Sequence, residues 1–113
     1  MTDTLRVHLD ELDFDDEQLM IWKGKPFTGV GVEFFPDGTL QSEVYHVDGV
    51  EHGPKREWYP SGQLKDEANL WHGGLHGYKR IWDEQGRLVS EMIGELGVGI
   101  TEKPRDEQGR LIK

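Results

Sequence analysis

Hydrophobic and polar positions alternate along this chain in short bursts, each closed by a glycine-containing turn, and the bursts recur. GVGVEFFPDGTLQSEVYHVDG (29–49), GPKREWYPSGQLKDEANLWHG (53–73) and GYKRIWDEQGRLVSEMIGELG (77–97) align without gaps at a period of 24. The period superposes Gly29, Gly53 and Gly77, then Phe34, Trp58 and Trp82, then Gly38, Gly62 and Gly86. It continues through Leu40, Leu64 and Leu88 to Glu43, Glu67 and Glu91. A decayed copy closes the chain, where DEQGRL at 106–111 repeats DEQGRL at 83–88. An internal repeat of this length means one supersecondary unit stacked on copies of itself.

Each unit reads as a β-hairpin. PDG, PSG and EQG are short connections between runs rich in aromatic and β-branched residues, and Gly38, Gly62 and Gly86 supply the left-handed conformation such turns require. Turn signals fall about every 12 residues, the spacing of an antiparallel meander. Glycine recurs too often for a helix of useful length. The expected fold class is all-β: tandem antiparallel β-hairpin repeats forming an elongated twisted meander sheet, with an acidic N-terminal segment. A single domain spans 1–113, divided into the N-terminal segment and first strand (1–24), hairpin repeats at 25–48, 49–72 and 73–96, and a degenerate repeat at 97–113.

Regular pairing around the turns sets Trp58 opposite Leu64, Phe34 opposite Leu40 and Trp82 opposite Leu88. The same register puts Glu57 beside Lys65, Lys55 beside Glu67, and Lys79 beside Glu91. It predicts two faces. One is a packing face that includes Val30, Val32, Val44, Ala68, Leu70 and Met92, with the stems of Arg56 and Arg80 lying along it. The other interleaves Glu33, Glu43, Tyr45, Glu57, Tyr59, Glu67, Trp71, Ile81 and Glu91. There Glu43, Glu67 and Glu91 would form an acidic row at steps of roughly 10 Å. Such a face is either a solvated surface or a binding surface for a basic partner. The N-terminal segment, with Leu5, Val7, Leu9, Leu12, Phe14 and the run from Leu19 to Trp22, is the expected lid over the apolar face.

Charge sharpens the second possibility. The chain has 22 acidic against 13 basic residues, a net −9. That balance disfavours direct binding of nucleic acid or of anionic lipid. DELDFDDE (10–17) holds six acids in eight residues, including Asp13, Asp15 and Asp16. This stretch is either simply solvated or an arm that docks on a cationic protein. No cysteine is present, and the N-terminus lacks the pattern of a signal peptide, so a cytoplasmic location is the expectation.

Catalytic chemistry is not legible. His72 and His76 have the i, i+4 spacing of a metal pair, but they flank a predicted turn and no third ligand suggests itself. The three serines, Ser42, Ser61 and Ser90, lie outside any G-x-S-x-G context. The repeated glutamates occupy equivalent positions, whereas acid–base catalysis needs two carboxyl groups in different environments. No enzyme activity, cofactor or metal is expected.

The pattern G-x-x-x-x-W/F-[YF]-P-x-G-x-L-x-x-E, followed by x-G-x-x-H-G, resembles the MORN-type repeats of the YwqK-like antitoxin family of bacteria. It is carried here by KGKPFTGVGVEFFPDGTLQSEVYHVDGVEHGPKREWYPSGQLKDE and HGGLHGYKRIWDEQGRLVSE, covering roughly residues 19–97. The resemblance implies an immunity protein that neutralises a toxin acting on nucleic acid, such as a nuclease or a deaminase. Combined with the net charge, it leads to an expected partner with a basic surface, bound as a heterodimer by a chain that is monomeric alone. The contact residues expected are Glu43, Tyr45, Glu57, Tyr59, Glu67, Trp71 and Glu91, with Asp13, Asp15 and Asp16 of the arm. Tyr45, Tyr59 and Trp71 would provide most of the affinity. A structural or scaffolding repeat module is the alternative.

Overall fold

Two-residue and three-residue turns fold the repeats into one long meander. The computed structural model describes residues 4–95 and the backbone of the strand at 98–104. The elements in chain order are β1 (Arg6–His8), a 3-10 turn (Leu9–Glu11), β2 (Asp13–Phe14), β3 (Met20–Trp22), β4 (Lys25–Pro26), β5 (Gly29–Phe34) and β6 (Leu40–Val47). They continue with β7 (Val50–Trp58), β8 (Leu64–Trp71), β9 (Gly74–Trp82), β10 (Leu88–Glu95) and β11 (Val98–Pro104). The main sheet has eight strands in the order β1-β5-β6-β7-β8-β9-β10-β11, open at both ends. The chain's radius of gyration, 15.6 Å, exceeds the roughly 13 Å of a compact domain of this length. The fold is thus all-β and elongated. The decayed copy at 106–111 lies outside the described residues.

The N-terminal segment departs from a simple lid. β1 joins the sheet as an edge strand, running parallel to β5 with Val7 opposite Gly31. The 3-10 turn then folds over β5, bringing Leu9 and Leu12 against Gly31, where an added Cβ would lie 2.9 Å from Leu9. Residues 13–26 form a separate three-stranded ribbon, β2-β3-β4. Met20 N donates to Gly49 O at 2.9 Å, and Gly49 N donates to Phe27 O at 2.8 Å, which fastens the ribbon to the turn between β6 and β7. Phe27 is buried, with its ring 5.6 Å from His46 and 6.3 Å from Trp22. Phe14, expected to pack, is instead 66% exposed.

The rungs next to the turns pair as expected: Phe34 with Leu40, Trp58 with Leu64, Trp82 with Leu88. One residue further, the register shifts. Glu33 pairs with Ser42, Glu57 with Asp66 and Ile81 with Ser90, so Gln41, Lys65 and Val89 are extra residues on their strands. This β-bulge recurs at the period of the repeat, and it turns every residue beyond it to the other face. The pairings Glu57–Lys65, Lys55–Glu67 and Lys79–Glu91 are therefore replaced by Glu57–Asp66, Lys55–Ala68 and Lys79–Met92.

Candidate functional site

Following the registers across the sheet gives two kinds of rung, because directly paired residues share a face. On one face runs Val32–Glu43–Arg56–Glu67–Arg80–Glu91. The three glutamates do share a face, but an arginine stands between each successive pair. Arg56 donates from Nη1 to Glu43 Oε1 at 3.0 Å and from Nε to Glu67 Oε2 at 2.8 Å. Arg80 donates from Nε to Glu91 Oε2 at 2.7 Å, and Arg6 reaches Glu43 at 3.4 Å. Glu43 and Glu91 are buried, at 9% and 7% exposure. The hydrogen bond to Glu67 raises the affinity of the Arg56 guanidinium for its proton further. The expected acidic row is thus a charge ladder of alternating sign, with its carboxylates already neutralised.

The opposite face carries the acids that this ladder leaves over. Its rung reads Glu33–Ser42–Glu57–Asp66–Ile81–Ser90, beside a rung of Val44, Lys55, Ala68, Lys79 and Met92. Glu57 and Asp66 are direct cross-strand partners, and like charges in that relation destabilise a sheet. Burial holds the Asp66 carboxyl above its usual range; Lys79 at 3.9 Å lowers it in part, and Glu57 raises it again. Among the described residues no ion pair reaches Glu57. The two carboxylates border a groove of about 330 Å³ with Ala68, Leu70, Leu75 and Met92 along it. Lys55 stands nearby, paired with Glu51 at 3.5 Å.

The remaining expected contacts are dispersed. Tyr45 is half-buried on the ladder face, opposite Val30. Tyr59 donates its hydroxyl to Trp82 O at 2.8 Å, which ties one hairpin tip to the next, while the Lys65 ammonium lies 5.6 Å from its ring. Trp71 is 44% exposed and is surrounded by imidazoles: His52 at 4.6 Å, His72 at 5.0 Å and His76 at 5.9 Å. Among the described residues no group of three or more His, Asp or Glu is arranged to hold a metal ion. Asp13 and Asp16 are exposed on the ribbon. Asp15 has a local role, accepting from the Glu17 and Leu19 amides at 2.9 Å each and so closing the turn after β2.

The structure therefore brings Glu57 to a groove, neutralises Glu43, Glu67 and Glu91, and leaves the ribbon acids as a separate group. Asp66, Glu51 and Leu75 belong to the groove and were absent from the expected contacts. The bulge at Lys65 conceals Asp66, because a strict alternation assigns Asp66 to the face that carries Trp58.

Residues 27–48 and 51–72 each match the MORN repeat variant, so the chain carries MORN-type repeats. The boundaries agree with the hydrogen bonding: Gly49 N donates to Phe27 O and Gly73 N to Glu51 O, both at 2.8 Å and one repeat apart. Neither the curated proteins nor the solved structures include a significant match to the chain.

Proposed function

We propose that this protein is a non-catalytic interaction module whose groove receives a cationic segment of a partner protein. MORN-type repeats point to a module for protein interaction. The observation that carries the reading is Glu57 opposite Asp66 in a groove with an apolar wall. A like-charge pair held partly out of water costs stability, and a partner's guanidinium or ammonium group relieves that cost on binding. Its aliphatic stem would lie against Leu70, Leu75 and Met92.

The more specific reading is immunity: the partner is a toxin that acts on nucleic acid, and the chain blocks it as a cytoplasmic protein in a one-to-one complex. The resemblance to the YwqK-like antitoxins supports this, as does a net charge of −9 set against the basic cleft such an enzyme needs. Co-expression with a candidate toxin encoded beside the gene tests it. Restored growth and a co-purified heterodimer are expected, and both should be lost with Glu57→Lys. A stable complex with a harmless partner would favour the scaffolding role, and no complex at all would reject both.

A further inference from the structure

The groove beside Glu57 does not end at the sheet. Glu51 and Gly73 line both that groove and a second, more apolar one of about 210 Å³, bounded by Phe14, Met20 and Val50. The second groove lies between the N-terminal ribbon, with Phe14, Gln18 and Met20, and the repeat residues His46, Val50 and Glu51. Its lining includes Glu51 and no Lys or Arg, and Phe14 belongs to the acidic stretch 10–17. The ribbon that carries Phe14 is held by the Asp15 turn and by the backbone bond from Met20 N to Gly49 O. An exposed aromatic beside an apolar hollow with polar groups at its edge is the composition of an interface core and rim.

We infer that the two grooves form one continuous docking track for a single segment of the partner. That segment places an apolar anchor between Phe14, Met20 and Val50 and cationic side chains on Glu51, Glu57 and Asp66. Charge complementarity decides the occupant: three carboxylates line the track against two lysines, whose contacts to Glu51 and Asp66 are 3.5 and 3.9 Å long, and Glu57 has no ion pair among the described residues. From Glu51 to Glu57 is six residues of β7, at most about 20 Å along the strand. Anchor and charge therefore belong to one short stretch of chain, and this follows only if the Glu57 groove is a contact as proposed above.

Selection of a phage-displayed library of random 16-residue peptides on the full chain tests the inference. Enriched peptides are expected to combine two or more Arg or Lys with one large apolar residue. The affinity of a synthesised winner should fall about tenfold with Phe14→Ala and about tenfold with Glu57→Gln plus Asp66→Asn. It should be unchanged by Tyr78→Ala, which removes an exposed aromatic from the opposite face. Sensitivity to the carboxylate pair without sensitivity to Phe14 would overturn the single track and leave the Glu57 groove standing. Neutral or acidic winners, or binding indifferent to both sets of substitutions, would overturn the track and the groove together.

Discussion

Arg56 bridges Glu43 and Glu67, using Nη1 for one carboxylate and Nε for the other. Because its partners stand on the two neighbouring strands, this one side chain ties three strands together. Arg56→Met should leave Glu43, buried on the sheet, with only the longer Arg6 contact. The expected loss is about 1–3 kcal/mol in urea denaturation, reduced from that of a fully buried pair because Arg56 is one-third exposed. Arg56→Lys should recover less than half, since one ammonium does not span both acceptors with the geometry of a guanidinium.

Asp66→Asn should behave in the opposite sense. The Asp66 carboxyl is held above its usual range by burial, so the folded state binds its proton more tightly than the unfolded chain does. Stability from this group is highest below the unfolded value and falls as pH rises through the folded one. At neutral pH the aspartate is therefore a cost. The amide should raise stability by about 0.2–1 kcal/mol in the same denaturation assay, and the gain should shrink when Glu57→Gln is already present.

His46, on β6 opposite Glu51, should add a pH dependence of its own. Burial depresses its proton affinity, with Glu51 and a 3.0 Å bond to Val44 O acting in the other direction. A buried neutral imidazole stabilises the fold fully above the unfolded value, near 6.5, and less as pH falls towards the lower folded value. Thermal unfolding followed from pH 7.5 to 5 should show a declining midpoint, and His46→Gln should flatten part of that slope.

Two glycines with similar backbone angles should differ in their tolerance of alanine. Gly38 has φ +90° and open space around its missing side chain, so Gly38→Ala should cost about 1–2 kcal/mol from backbone strain alone. Gly49 has φ +84°, and an added Cβ would stand 3.0 Å from both Leu19 Cβ and Met20 O. Gly49→Ala should cost about 2–3 kcal/mol and should speed amide exchange at Met20, whose N–H bonds to Gly49 O.

Architecture was legible in the chain because the repeat fixes the turns, and the turns fix the aromatic–leucine rungs. The faces were not legible beyond the first rung. Gln41, Lys65 and Val89 have ordinary side chains for a strand, so nothing in their chemistry marks them as extra residues. A strict period of two then assigns Glu43, Glu67 and Glu91 to the side of Glu33 and Glu57. In the fold they face Arg56 and Arg80 instead. The N-terminal ribbon was also hidden, since two-residue strands such as β2 and β4 carry no periodicity to detect.

The double variant Glu57→Gln with Asp66→Asn separates a binding role from a structural one in a single preparation. Its urea midpoint and its affinity for the selected cationic peptide should move apart: stability equal to or above that of the parent chain, affinity about tenfold weaker. Retained affinity in a protein that folds as well as the parent would contradict the assignment of these carboxylates to partner recognition.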